Sequence, residues 1–284
     1  MTELLSYHFM QRALIAGTLI GAVCAIIGTY VVLKGLSFIG AGIAHASFGG
    51  VALGFLLKLN PILTAVFFCL GTAWGIGLVS RKGHVKEDTA VGVFFASTMA
   101  LGVLIIGFIK GYNMDLFGYL FGSILAVSGD DVWITVGLSA AVLILVLLFF
   151  KELLFVVFDA EMAAVTGVPV AKVYFLLMSL MALTVVLSIE VVGIVLVSAL
   201  LVTPAAAAYQ LTEKFRRMML LSILIGVASA VGGLLLSYKL NTASGATIVL
   251  LSTLIFFVSA LLSPRRWRRR PSLQENDAPP EASF

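Results

Sequence analysis

Charged residues are scarce in this chain of 284 residues. Asp, Glu, Lys and Arg together make up 11% of the sequence, under half of the ~25% that is typical of soluble domains. So few charges cannot cover the surface of a soluble protein of this size, and hydrophobic residues reach 61%. The composition therefore excludes disordered, coiled-coil and collagen-like chains, and it predicts a polytopic membrane protein.

Cysteines are few, and several familiar site motifs are missing from the sequence. Cys24 and Cys69 lie in apolar stretches and form no CxxC pair, which excludes a disulfide scaffold and favours two buried, inert thiols. The sequence has no G-x-S-x-G, no HExxH and no G-x-x-x-x-G-K-[ST]. It therefore predicts no hydrolase site and no ATP hydrolysis by this chain alone.

Nine apolar runs are long enough to cross the ~30 Å hydrocarbon core of a bilayer. They are residues 13–33, 40–57, 62–80, 89–109, 132–150, 173–188, 191–208, 218–238 and 245–262. The predicted fold class is an all-α polytopic membrane protein of about eight or nine transmembrane helices, the lower count applying if one run is re-entrant. Residues 1–263 form the predicted transmembrane domain, and residues 264–284 a cytoplasmic tail that is basic and then disordered.

The basic residues predict how the chain is oriented in the membrane. One side of the nine-span order receives fourteen of them: Lys34, Arg81, Lys82, Lys86, Lys151, Lys172, Lys214, Arg216, Arg217 and the five arginines of 265–270. The other side receives four: Arg12, Lys58, Lys110 and Lys239. The positive-inside rule places the richer side, and with it the C-terminus, in the cytoplasm.

Two ionisable residues lie well inside the apolar runs, His45 and Glu190. Such residues are costly at membrane depth and usually face a bundle interior or a polar pathway. Each has a structural alternative: His45 could be hydrogen-bonded to a neighbouring helix, and Glu190 could lie at an outer turn within reach of water. The sequence leaves both alternatives open.

The inner loop 151–172 contains the pattern of a short, capped helix. Asp159 is a good N-cap, Glu161 suits the positive N-terminal end, Gly167 can take the left-handed position after the last turn, and Pro169 stops the helix. A helix of about seven residues is marginal alone in water, so we expect it to need a partner surface. The alternative is an idle connecting turn.

Four segments resemble parts of the membrane permeases of bacterial zinc, manganese and iron ABC importers, the ABC-3 group. Residues 38–54 resemble that family's G-D-x-x-x-H-A-x-x-x-G element, and residues 158–169 its F-D-x-x-x-A-x-x-x-G segment. Residues 192–206 are similar to its V-G-x-L-L-v-x-A-L-L-x-x-P-A-A signature, and residues 119–127 to its outer segment. The resemblance covers about residues 10–265.

The resemblance implies a non-catalytic subunit that works as a homodimer in the cell (inner) membrane. Its implied partners are two ATP-binding subunits and an extracytoplasmic metal-binding protein, with no nucleic acid. No cofactor is permanently bound, because the metal ion is the cargo and the ATP lies on the partner subunit. His45 would be a transient pore ligand, and residues 158–169 would be the coupling helix that docks into the ATPase. The implied coupling residues are Phe158, Asp159, Glu161, Met162, Val165 and Gly167.

One position departs from the family pattern. The family commonly has an aspartate four residues before the histidine, where this chain has Ala41. Two side chains at i and i+4 on a helix can reach one metal ion, so His45 lacks a local anionic partner here. Glu190 is the remaining intramembrane carboxylate candidate. Imidazole suits Zn²⁺ and carboxylate suits Mn²⁺, so the residues leave the choice of metal open.

Three other functions compete with the ATP-driven metal importer. A secondary carrier could use His45 and Glu190 as a proton relay. An ABC permease for siderophores or cobalamin would tolerate the loss of His45. An intramembrane enzyme is a weaker interpretation, because the expected motifs are absent from the sequence.

Overall fold

The computed structural model describes residues 8–83, 85–109, 120–122 and 129–264. Eleven helices and no strand occur within these ranges. They are α1 (His8–Lys34), α2 (Ser37–Leu57), α3 (Pro61–Lys82), α4 (Glu87–Phe108), α5 (Gly129–Leu148), α6 (Phe150–Phe158), α7 (Ala160–Val165), α8 (Val170–Val192), α9 (Ile194–Leu211), α10 (Phe215–Leu240) and α11 (Ser244–Leu261). The predicted all-α class is confirmed.

The described helices include seven or eight candidate membrane spans. Seven are long and apolar enough to cross alone, namely α1 to α4, α8, α10 and α11. Helices α5 and α6 pass the same test together and are bent by 69° at their junction. Helix α9 is apolar but shorter, contains Pro204 and is not among these candidate spans. Within the described residues, a count of eight agrees with the lower of the two predicted counts, and a ninth span is not found.

Two boundaries differ from the sequence-based spans. The long apolar stretch breaks at Gly193, whose φ of +88° lies in the region that favours glycine, so α8 runs to Val192 rather than ending at residue 188. The segment 151–172, predicted to be an inner loop, also begins with a helix. Phe150–Phe158 forms α6, because Leu153, Val156 and Val157 on one of its faces are buried.

Short connections, such as residues 35–36, 58–60 and 241–243, join successive spanning helices, so successive spans alternate in direction. At one end, Lys34 Nζ donates a hydrogen bond to the Val156 carbonyl oxygen over 3.1 Å, and Ser263 Oγ donates to the Gln210 carbonyl oxygen over 2.8 Å. We call this the basic end, because all nine described basic residues predicted to be inside lie there. They are Lys34, Arg81, Lys82, Lys86, Lys151, Lys172, Lys214, Arg216 and Arg217.

At the opposite end of the bundle, backbone segments pack directly against one another. Residues 120–122 lie against Gly193 at the break between α8 and α9, where an added Cβ would come within 2.5 Å of the Gly122 nitrogen. Gly245 at the start of α11 lies against the same Phe121 and against Val192. The rest of the predicted outer segment, residues 110–119 and 123–128, lies outside the described residues, as do Lys110 and the tail from residue 265.

The core is centred on α8 and α9. Leu180, Met181, Val185, Leu200 and Leu201 are fully buried, and the contacts of α8 and α9 include α1, α2 and α11. Large apolar side chains remain exposed on the flanking helices α4, α5 and α11. Such side chains gain nothing from burial when lipid surrounds them. The two cysteines are both buried and free, as predicted, so they mark the protein-facing side of α1 and α3.

Candidate metal pathway and coupling surface

His45 lies near the middle of α2 with its ring half-buried. Its Nδ1 is 2.9 Å from the carbonyl oxygen of Ala41 in the preceding turn. A carbonyl oxygen can only accept, so in the neutral imidazole Nδ1 is the donor and Nε2 has the free lone pair. That tautomer is the one that presents Nε2 to a metal ion.

Helix α4 supports the His45 ring from one side. The centroids of the His45 and Phe95 rings are 4.5 Å apart, with the planes tilted by 56°. Either side of this contact, Gly42 lies against Val91 and Gly49 lies against the Thr98 carbonyl oxygen. The pairs advance together along both helices, so α2 and α4 run parallel, and the small residues of α2 allow the close approach. The hydrogen bond of His45 is therefore within its own helix, and its contact with the neighbouring helix is aromatic.

His45 has no cluster of metal-ligating side chains around it in one chain. No group of three or more His, Cys, Asp and Glu residues is found in the described part of the protein. Ala41, the position of the family aspartate, is half-buried one turn away on the same face of α2. One imidazole nitrogen is the ligand that this region of the described chain offers.

Glu190 lies in the last turn of α8, and its side chain lies outside the described residues. The depth of its backbone in the bundle can be compared with that of His45 from a reference level near the basic end, where α3 contacts both α2 and α8. There Gly42 contacts Ile76, and the adjacent Gly77 contacts Tyr174. From that level His45 lies about 5 Å further along α2, and residue 190 about 24 Å further along α8, at 1.5 Å per residue.

The two predicted pore residues are therefore at different depths of the helix bundle, by roughly 20 Å along the helix axes. Two hydroxyl residues of α8, Thr184 and Ser188, are buried in the core in the turns before Glu190. Ser188 Oγ donates to the Thr184 carbonyl oxygen over 2.8 Å, and its oxygen is 3.1 Å from the Cys24 sulfur. In a single chain the backbone of residue 190 therefore lies well away from His45 along the helix axes.

The short helix predicted in the inner loop is present with both predicted caps. The Asp159 carboxylate accepts a hydrogen bond from the Met162 backbone N–H over 2.8 Å. Gly167 has a φ of +87°, and the Gly167 and Val168 N–H groups donate to the carbonyl oxygens of Ala164 and Ala163. These two bonds close the helix in a Schellman motif. The capped helix α7 is therefore confirmed as a structure.

Helix α7 and the last residue of α6 present an apolar surface at the basic end. The exposed fractions are 61% for Phe158, 53% for Met162 and 82% for Val165. Ala163, on the other side of the helix, is fully buried, and the Phe158 ring meets that of Phe215 edge-on at 6.1 Å. We call Phe158, Met162 and Val165 the α7 surface. Exposure of these apolar side chains to water is unfavourable, and a partner that covers them would remove that exposure.

Phe95 was not predicted from the sequence as part of the His45 site. It lies among many apolar residues of α4, and nothing in its local pattern distinguishes it from the others. Only the packing of α4 on α2 shows that its ring covers the imidazole.

These features define a class of protein: a multi-pass helical membrane protein with a histidine inside the membrane and an exposed, capped helix at its basic end. The chain belongs to the ABC 3 transport family, whose model matches residues 6–263. The predicted family is confirmed.

Relatives and solved structures agree with this assignment. The chain is 40% identical to the manganese transport system membrane protein MntC of Halalkalibacterium halodurans, over 93% of this chain and 90% of that protein. It is 40% identical to the manganese import system permease protein ScaB of Streptococcus gordonii, over 92% and 93% of the two chains. The structure of PsaBC from Streptococcus pneumoniae in complex with Fab matches with a TM-score of 0.85 and 39% identity, over 94% and 96%.

A more distant structure shares the fold alone. An inward-facing conformation of a metal-chelate type ABC transporter matches with a TM-score of 0.71 at 14% identity, over 89% of this chain and 86% of that one.

Proposed function

We propose that this chain is the transmembrane permease subunit of an ATP-driven importer for divalent transition-metal ions, with Mn²⁺ as its substrate. The observation that carries the proposal is the full-length similarity, at 40% identity, to permeases named for manganese transport and manganese import. The α7 surface adds a structural reason, since it is the kind of exposed apolar helix that a separate ATPase could cover. The secondary-carrier alternative finds no support in these relatives.

His45 is the transient ligand of the ion on its way through the membrane. Its free Nε2 and its support by Phe95 hold one ligand at a defined place in the bundle. A single imidazole binds weakly, which suits a pathway that the ion must also leave. Glu190 acts as a second ligating position. It is separate from His45 because it lies at a different depth, nearer the opposite end of the bundle.

The permease works as a homodimer with two ATP-binding subunits and an extracytoplasmic metal-binding protein. The ATPase binds the α7 surface, and Asp159, Glu161 and Gly167 keep α7 folded for that contact. ATP is bound and hydrolysed by the partner, and the metal ion is the transported substrate. By the positive-inside rule, the basic end and the tail 264–284 face the cytoplasm. Residues 1–263 form the domain that spans the cell membrane.

Reconstitution tests the proposal directly. The permease is purified with a candidate ATPase and a candidate metal-binding protein from the same organism and placed in liposomes, and ⁵⁴Mn²⁺ uptake is measured with and without ATP. We expect uptake that requires ATP and the ATPase and that is unaffected by a protonophore. Uptake that persists without the ATPase and is abolished by the protonophore would instead establish the proton-coupled carrier that uses His45 and Glu190.

A further inference from the structure

Tyr174 joins three helices at the basic end. Its hydroxyl donates a hydrogen bond to Glu87 Oε1 over 3.0 Å, which links α8 to the first residue of α4. Its ring lies against Gly77 of α3, where an added Cβ would come within 3.1 Å of the ring. The Arg81 guanidinium carbon lies 5.4 Å from the centroid of the same ring, within the range of a cation–π contact.

The Tyr174 ring is held in one position by these neighbours. It is 6% exposed, although it lies near the end of a membrane-spanning helix. Gly77 and Arg81 are one turn apart on α3, on the same face of the helix. Gly77, which has no side chain, leaves room for the Tyr174 ring, and the Arg81 guanidinium covers that ring. A tyrosine held on three sides can transmit displacement of α8 to α3 and α4.

Helix α7 is attached to α8 by a short, ordered connection. The Val168 N–H donates to the Ala163 carbonyl oxygen over 3.0 Å, and the Val173 N–H donates to the Pro169 carbonyl oxygen over 3.1 Å. Pro169 also has a restricted φ. The connection between the two helices is therefore stiff, and Tyr174 follows in the first turns of α8.

Helix α4 leads from Glu87 to the His45 ring. Val91 lies one turn beyond Glu87 and contacts Gly42 of α2, and Phe95 lies one turn further with its ring against that of His45. The distance from Glu87 to Phe95 along α4 is about 12 Å. A displacement of the Glu87 end of α4 would therefore reach the imidazole through one rigid helix.

We propose that Tyr174, through its hydrogen bond to Glu87, is a positioning residue that carries the movement of α7 to α4 and so to the His45 ring. We call this pair the Tyr174–Glu87 link. The inference rests on the proposed function, because it assigns a step in coupling between ATPase and metal site. The link acts on the coupling of transport to ATP hydrolysis and leaves metal binding and ATPase docking unchanged.

The test is Tyr174→Phe in the full complex in liposomes, with the number of Mn²⁺ ions transported per ATP hydrolysed as the readout. We expect this ratio to fall about tenfold, the size expected for the loss of one hydrogen bond to a carboxylate. The KM for Mn²⁺ and the amount of co-purified ATPase should not change. Tyr238→Phe, which removes the hydroxyl of a tyrosine in the last turn of α10 at the opposite end, is the matched control and should keep the wild-type ratio.

A double-mutant cycle separates the link from a merely structural role. Glu87→Ala should lower the ratio as much as Tyr174→Phe, and the double variant should be no worse than either single variant. Glu87→Gln keeps an acceptor oxygen and should restore part of the ratio, and it also serves if Tyr174→Phe fails to accumulate. A wild-type ratio in Tyr174→Phe, or multiplied losses in the double variant, would overturn the link.

The same experiment distinguishes the two levels of inference. Wild-type liposomes that take up no Mn²⁺ with ATP would overturn the proposed function, and the link with it. Normal wild-type transport together with a normal ratio in the Tyr174→Phe and Glu87→Ala variants would overturn the link alone.

Discussion

At the scale of single residues, His45 combines depth in the membrane with a defined tautomer. Since its Nδ1 hydrogen is used within α2, removal of the ring deletes one metal ligand without orphaning a partner on another helix. We expect His45→Ala to lower Mn²⁺ uptake about tenfold or more, the usual range for a change that weakens a metal site. The measurement is uptake per molecule of assembled complex, and wild-type uptake by a well-expressed variant would leave His45 with a purely structural role.

Ala41 tests the same site from the position where this chain departs from its family. It lies one turn before His45 on the same face of α2, so Ala41→Asp would place a carboxylate within reach of an ion at Nε2. We expect tighter Mn²⁺ binding, measured by equilibrium dialysis, together with slower release during transport. Unchanged binding would mean that residue 41 does not face the ion.

At the scale of elements, α7 shows how a six-residue helix can be specified locally. Its caps use neighbours in the sequence: Asp159 bonds to the N–H three residues on, and Gly167 follows the last turn. Both were predictable because such bonds depend on a few adjacent residues. The bend between α5 and α6 was not predictable, since it depends on burial of one face of α6 against other helices.

The α7 surface carries a prediction about the ATPase. Burial of a Met or Val side chain is worth about 1.5–3 kcal/mol, so loss of two such contacts should weaken docking by roughly two or more orders of magnitude. We expect the double change Met162→Asp with Val165→Asp to abolish co-purification of the ATPase and metal-stimulated hydrolysis while the permease still inserts.

A matched control for this double change is available at the opposite end. Leu59, in the loop between α2 and α3, is exposed to a similar degree, and Leu59→Asp should leave ATPase co-purification intact. Normal co-purification and stimulated turnover in the Met162→Asp, Val165→Asp variant would show that α7 is not the coupling element.

At the scale of the whole molecule, the two ends of the bundle differ in charge, and this difference predicts the topology. Cys24 and Cys69 are fully buried, so a single cysteine introduced by Lys151→Cys or Lys58→Cys can be labelled selectively. We expect a membrane-impermeant maleimide to label position 58 in intact cells and position 151 only in inverted vesicles. Labelling of position 151 from outside would reverse the orientation and remove α7 from the ATPase side.

The amino-acid sequence by itself determined the class of protein, the approximate spans, the charge asymmetry and the caps of α7. These properties follow from composition, from runs of apolar residues and from hydrogen bonds between near neighbours, all of which are local. The tertiary structure alone decided that Phe95 covers His45, that Glu190 lies at another depth, and that Tyr174 bonds to Glu87, 87 residues away in the chain. An all-apolar helix carries no periodic signal for which face meets which neighbour, because lipid and protein interior are equally favourable for its side chains. Only the close packing of the helices chooses between them.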